Sequence, residues 1–423
     1  MSAASHLVRS AAALLAASVL ATTATAAAPA RTLGIDGQPI TNTAGVTFGV
    51  LSHRGGALQW PENSVEAYTG SALAGYDAIE ADILFTSDAR AVMSHYDTLP
   101  SRCTRAGKKI HQLTWAQVSA VRCANLAGKK VVPIPTFEQL AAVLKTHPGV
   151  GLSLDIKSYS GQSSTGQRTF ATRAVKLLIK HQLLARSSII SFNWDQALPA
   201  IRTLAPTTPV LALDQVAMDL NRVRLAAKLK ATSYGIKMKY TSAYLARFVK
   251  SQRMTSAPSQ VIGNEQLAFT IHYGGKTQLF SSDWPAETTK DLVDGKINVN
   301  PVPVPTTTTL ATPVTISKAT YVADQRQYPL VIGTAVPSGE VPMLDTVTLA
   351  ITVTGGTGTG ILSVGARSSD TSSSVQLPLP SGSKTLTVKA PVGNSGKLRI
   401  YTTSTVQLTV KVVGYTRIRF PSA

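Results

Sequence analysis

From Thr47 to Asp283, short β-branched runs alternate with longer stretches whose apolar residues recur every three or four positions. The runs "TFGVLSH", "YDAIEADILF", "AVMSH", "GVGLSLDIK", "SSIISFN", "TPVLALD", "SYGIKMK" and "LAFTIHY" predict strands, and "TQLFSSD" follows them. Helices are predicted over "SVEAYTGSALAG", with Asn63 as its cap, and over "TFEQLAAVLKTH", "TRAVKLLIKHQLL" and "RVRLAAKLK". Strands alternating with helices at this length predict a TIM-like (β/α)8 barrel rather than an open doubly wound sheet. No glycine-rich dinucleotide fingerprint follows the first strand. One connection breaks the rhythm, because "TSDAR" joins the second and third strands with no helix.

The pattern changes after residue 297. "NVNPVPVPTTTTLATPVTIS" is rich in Pro and Thr and reads as a semi-extended linker over residues 298–317. Beyond it, "TVTLAITVTG", "GILSVGA", "KTLTVKAP", "GKLRIYTT" and "VQLTVKVVGY" alternate apolar and polar residues between Gly, Pro and Ser. That pattern predicts an all-β sandwich-like accessory domain over 318–423. At the other end, Arg9 precedes an Ala/Leu run with A-x-A options near Ala24 to Ala30, which predicts a secretory signal peptide over 1–28. The run is too short to span a membrane, and a single arginine does not make a twin-arginine signal. The barrel is then expected over 31–297, in an exported, extracellular protein.

Composition sharpens this picture in two places. Of 423 residues, 44% are hydrophobic and 15% charged, enough for large cores and too few charges for disorder. The formal charge is +19, which favours anionic surroundings: a membrane surface, a cell-wall polymer or a phosphorylated substrate. Nucleic acid is not the expected partner, because only 6% of residues are aromatic and no basic stripe interleaves with them. The two cysteines, Cys103 and Cys123, are expected to be bonded in an exported protein.

Barrel chemistry sits at the carboxyl ends of the strands, so polar residues there are the candidates. "GVLSHRGG" delivers His53 and Arg54, and "AVMSH" delivers His95. "AIEADI" puts Glu80 and Asp82 on one face, and "LSLDIK" does the same for Asp155 and Lys157. "LFSSD" ends in Asp283. Inward carboxylates repel one another unless a cation lies between them, and a hard divalent ion, Mg2+ or Ca2+, prefers carboxylate oxygen. Histidines beside such an ion suit acid–base work near neutral pH, while Arg54 and Lys157 would stabilise an anionic transition state. A phosphodiester is the substrate that fits this set best.

The stretch from His53 to His95, "HRGGALQWPENSVEAYTGSALAGYDAIEADILFTSDARAVMSH", resembles the opening of the glycerophosphodiester phosphodiesterase family. The likeness continues through "LPSRCT", "LTWAQV" and "IPTFEQL", and more loosely to Pro285. The resemblance implies a TIM-like barrel with His53 and His95 as the acid–base pair. It also implies metal binding by Glu80, Asp82 and Asp155, and phosphate contacts from Arg54 and Lys157. Glu62 and Asn63 would organise the first loop. In the family's mechanism a substrate hydroxyl attacks phosphorus, and a cyclic phosphate is then hydrolysed to glycerol phosphate. Three departures are visible: Tyr96 stands where the family has Asp, with Asp97 one position on; Asp155 stands for the usual Glu; and no Trp-Thr-x-Asn segment is recognisable near "LAFTIHYGG". A phospholipase D-like lyase releasing the cyclic phosphate is the alternative within the enzyme class. A non-catalytic cell-surface-binding protein is the alternative outside it. The final "VVGY" segment resembles exported β-rich surface domains.

Overall fold

Parallel strands covered on both faces need continuous apolar runs, and the chain supplies them in order. Thr47–Ser52 (β1) and Ala78–Phe85 (β2) come first, and every residue of β2 is buried. Ala91–Met93 (β3) returns antiparallel to β2 across the "TSDAR" turn, which leaves no room for a helix. Gly151–Ile156 (β4), Ser187–Ser191 (β5), Val210–Asp214 (β6), Ser233–Ile236 (β7), Thr255–Ser256 (β8) and Thr277–Ser282 (β9) complete the set. The computed structural model describes residues 14–18, 38–125, 130–215, 220–261, 263–321, 328–332, 335–336, 343–365, 374–392 and 397–420.

The sheet runs β9-β1-β2-β4-β5-β6-β7-β8, with first and last barrel strands side by side, and is the TIM-like arrangement expected. The other edge of β9 pairs antiparallel with Leu14–Ser18, a strand within the segment expected to be a signal peptide. The rest of that segment lies outside the described residues.

Besides the short helix Trp115–Ser119, eight longer helices occur in this part of the chain among the described residues: Val65–Leu73 (α1), Phe137–Thr146 (α2), Ser164–Lys180 (α3), Trp194–Leu204 (α4), Leu220–Lys228 (α5), Ala243–Ser251 (α6), Gly263–Tyr273 (α7) and Pro285–Val293 (α8). The cap of α1 is Ser64, whose hydroxyl accepts from Ala67 N at 3.0 Å. Asn63 does not cap it; its left-handed backbone (φ 50°) turns its amide elsewhere, into the site described below. Thr136 and Gln139 form a capping box on α2.

Two further sequence expectations are corrected. "LAFTIHY" is not a strand but the end of α7, with Leu267, Phe269 and Ile271 buried. The strand before it is only Thr255–Ser256, too short to leave an apolar run, so α7 is the crossover between β8 and β9. The supposed linker is largely the strand Val304–Tyr321 (β10). Thr is β-branched and suits a pleated edge, and proline is tolerated there because β10 pairs on one side only. Pro313 falls in the interval where the β10 register shifts, between Thr309 and Val314.

The chain divides into two compact units. Unit 1 comprises residues 1–215, 221–235 and 252–300, and unit 2 comprises 216–220, 236–251 and 301–423. In unit 2, Tyr328–Val331 (β11), Leu344–Thr357 (β12), Ile361–Gly365 (β13), Ser374–Pro378 (β14), Ser381–Pro391 (β15), Lys397–Thr402 (β16) and Val406–Arg419 (β17) follow β10. They form two antiparallel sheets, β10-β17-β12-β15 and β11-β16-β13-β14, around Leu349, Ile351, Leu398, Ile400, Val410 and Val412. Val412 and Tyr415 of the "VVGY" segment are buried, so that segment builds core. Unit 2 draws α6 into its own packing, where Arg247 pairs with Asp345.

Cys103 and Cys123 are disulfide-bonded, clamping a loop that also carries Thr104 N→Arg122 O (2.7 Å) and Ala124 N→Arg102 O (2.9 Å). Replacing both cysteines with serine is expected to cost roughly 3 kcal/mol in the loop-entropy picture, read as a lower urea midpoint at unchanged slope. An unmoved midpoint would mean that the backbone bonds alone hold the loop.

Candidate active site

Register brings the site together. Ser52 and Ser282 are partners on adjacent β1 and β9, so the residues that follow them, His53 and Asp283, leave the sheet side by side. Asp283 Oδ1 lies 2.5 Å from His53 Nδ1. Asp82 of β2 and Asp155 of β4 are direct partners, and Glu80 lies two residues back on the same face of β2. Ligand oxygens of Glu80, Asp82 and Asp155 all lie within 4.8 Å of one another, and all three residues are buried.

After β1 the chain makes a left-handed turn through Arg54 (φ 52°), Gly55 (φ 77°) and Gly56 (φ 85°). A Cβ on Gly55 would meet the Ala67 methyl at 2.7 Å, so helix α1 can approach the turn only because that residue is glycine. Arg54 bears the strained conformation because its amide is needed: its N–H donates to Glu80 Oε2 at 2.7 Å. Its guanidinium donates to Glu62 Oε2 at 2.8 Å and lies 3.7 Å from Asp82. Asn63 donates to Asp82 Oδ2 at 2.7 Å and accepts from Asp82 N at 3.0 Å, while Tyr68 OH donates to Asn63 Oδ1 at 3.0 Å. Lys157 Nζ lies 2.8 Å from Asp82 Oδ1 and also binds Asp155.

Burial and crowding set the charges. Burial, with the negative Asp82 beside it, pushes Glu80 up to about 8. Burial raises Asp155 too. Burial also works against the Asp82 carboxylate, but Lys157, His95 and Arg54 hold it well below the usual range. For His53, burial opposes the charged form, yet the Asp283 hydrogen bond and Glu80 raise it above the ordinary value. Burial lowers His95 to about 3, with Lys157 and Arg54 adding to the effect against Asp82.

The acidic triad fits a hard divalent ion. The donors are all carboxylate oxygens, and Asp155 Oδ1 is buried without a hydrogen-bond partner. Metal ligands must be deprotonated, and burial beside Asp82 favours the protonated form of Glu80. Binding Mg2+ or Ca2+ is therefore expected to release about one proton, and affinity should rise with pH up to about 8. Calorimetry in buffers of different ionisation enthalpy checks this. Identical apparent enthalpies in all buffers would contradict it.

His53, Arg54, Glu62, Asn63, Glu80, Asp82, Asp155, Lys157 and Asp283 thus form one connected cluster. Asp283, the strand-end candidate of "LFSSD", orients His53. His95 joins from the end of β3, its Nδ1 buried without a hydrogen-bond partner. Asp97 does not substitute for the carboxylate missing at Tyr96; it accepts from His111 N (3.0 Å) and holds His111 Nδ1 at 2.8 Å. Instead the Tyr96 ring meets the His95 ring edge-on at 4.4 Å. Sequence reasoning missed two residues. Tyr68 anchors Asn63, and Arg102 shares Glu62 with Arg54. A lone Tyr in an amphipathic helix gives no signal, but Arg102 directly precedes a bonded cysteine in an acid-free stretch.

A family model described as the glycerophosphoryl diester phosphodiesterase family matches residues 53–259. Glycerophosphodiester phosphodiesterase 1 of Homo sapiens is 30% identical over 148 residues, covering 34% of this chain and 42% of that protein. The Mus musculus protein of the same name is 29% identical over 131 residues, 30% of this chain and 39% of that one. The chain thus spans about two fifths of the length of these curated relatives. A Silicibacter pomeroyi crystal structure, provisionally described as a glycerophosphoryl diester phosphodiesterase, aligns with a TM-score of 0.53 at 18% identity, over 61% of this chain and 96% of that one.

Proposed function

We propose that this chain, whose residues 53–259 belong to the glycerophosphoryl diester phosphodiesterase family, is a metal-dependent phosphoric diester hydrolase that converts glycerophosphodiesters to glycerol phosphate and an alcohol. The observation that carries the reading is the buried Glu80–Asp82–Asp155 triad flanked by His53, His95, Arg54 and Lys157. The triad would hold Mg2+ or Ca2+, which supplies charge stabilisation at the phosphoryl oxygens.

In this reading Arg54 and Lys157 draw the phosphodiester onto the cluster. The substrate's own neighbouring hydroxyl attacks phosphorus, so the nucleophile arrives already positioned. One histidine takes the hydroxyl proton as the new P–O bond forms, and the other gives a proton to the departing alcohol oxygen. Water then opens the cyclic phosphate with the two histidines exchanging roles. Asp283 fixes which His53 nitrogen faces the reaction, leaving Nε2 on the side of Glu80, 3.9 Å from Oε2.

The test is 31P NMR of glycerophosphocholine turnover. Glycerol phosphate as the final product supports hydrolysis. A cyclic phosphate that accumulates and persists would instead mean a lyase, with His95, which lacks a carboxylate partner, failing in the second step. We further propose that the protein is exported, a reading supported by the leader-like N-terminal sequence and the disulfide. Its +19 charge would then favour contact with anionic membrane or cell-wall polymers.

A further inference from the structure

The cysteine-clamped loop beside His95 has a charge pattern that the reaction above does not use. From Thr98 to Ala124 the chain contains no Asp or Glu, but it contains Arg102, Arg105, Lys108, Lys109 and Arg122. Backbone bonds fold this stretch back against the strand end that carries His95: Leu99 N→Lys108 O at 2.9 Å, Gly107 N→Leu99 O at 2.8 Å and Ile110 N→Asp97 O at 2.8 Å. The disulfide fixes the far end, next to Arg102.

Arg102 reaches the catalytic cluster itself. Its guanidinium binds Glu62 Oε1, while Arg54 binds Glu62 Oε2. Glu62 thus bridges the two guanidiniums, and Arg54 has Asp82 as a second acidic neighbour at 3.7 Å. Tyr96, half-exposed, lies under both, with its ring centroid 5.8 Å from each guanidinium carbon. Arg102, Tyr96, Glu62 and His95 line a single pocket together with Leu99 and both cysteines. Arg54 is tied into the acidic cluster through Glu80 and Asp82, whereas Arg102 comes from the lip. Arg105 and Lys108 are exposed on that lip and make no ion pair with a described carboxylate.

We propose that this lip is the subsite for the leaving alcohol, and that Arg102 selects glycerophosphodiesters whose leaving alcohol itself carries a phosphate. The inference rests on the phosphodiesterase reading and narrows its substrate class. A guanidinium fork matches a phosphate in two hydrogen bonds; Glu62 holds Arg102 in the free protein, and the acid-free lip behind it adds no further carboxylate. The surrounding lysines add attraction that salt screens.

The experiment compares glycerophosphoglycerol with the same diester bearing a terminal phosphate on its leaving glycerol, using the full chain with Mg2+ or Ca2+. The wild type is expected to favour the phosphorylated substrate by about tenfold in kcat/KM, mainly through KM, with the preference shrinking as salt rises. Arg102→Ala should collapse that ratio to about one, and Arg102→Lys should restore part of it. Lys108→Gln with Lys109→Gln lies outside the cluster and should flatten the salt dependence, which keeps the test decisive if Arg102→Ala fails to fold. Equal turnover of both substrates by the wild type would overturn this inference while leaving the phosphodiesterase reading intact, as would a ratio unmoved by Arg102→Ala. No turnover of either would overturn both.

Discussion

Replacing His53 with alanine is expected to lower kcat for glycerophosphodiester hydrolysis by about a thousandfold, with KM nearly unchanged and the fold intact. His53 lies at the first turn after β1, with its ring between Asp283 and Glu80. Its ring bonds Asp283 and lies near Glu80, so its loss removes proton transfer without breaking a hydrogen bond of the sheet. Asp283→Asn is expected to cost less, about tenfold to a hundredfold, because His53 remains but its tautomer is no longer fixed. The check is steady-state kinetics alongside circular dichroism. Full activity in His53→Ala would mean that the acid–base pair is misassigned.

The second large effect belongs to Asp82. This carboxylate is fully buried and holds three partners at once: Asn63 at 2.7 Å, Lys157 at 2.8 Å and Arg54 at 3.7 Å. Asp82→Ala would leave Lys157 and Arg54 buried beside fewer negative charges, and breaking such a pair costs about 3–5 kcal/mol. The expected result is a lower urea midpoint, loss of metal-induced stabilisation and turnover at background level. Asp82→Asn keeps the shape and the Asn63 contact, so it should lose metal binding while losing less stability. An Asp82→Asn variant as stable as the wild type would show that Asp82 holds the fold through shape and the Asn63 contact rather than through its charge.

Much of this site is legible in the sequence because strand periodicity is rigid. Glu80 and Asp82 must share a face two residues apart, and the equivalent positions on the next parallel strand bring Asp155 beside Asp82. What escapes the pattern is what depends on partners far along the chain. Asp97 looks like a substitute for the carboxylate missing at Tyr96, yet Asp97 is taken by His111, fourteen residues on. Asn63 looks like a helix cap, but its left-handed backbone hands that role to Ser64. "LAFTIHY" alternates like a strand, and only the two-residue strand preceding it requires a crossover helix there. The Pro/Thr segment has linker composition, yet its threonines serve as one edge of a sheet.

The most direct test of the central claim follows glycerophosphocholine by 31P NMR with the full chain, first with EDTA and then with excess Mg2+ or Ca2+. No change is expected with EDTA, and glycerol phosphate should appear steadily once the ion is restored. Turnover that is indifferent to EDTA, or no turnover of the diester with either ion, would contradict it.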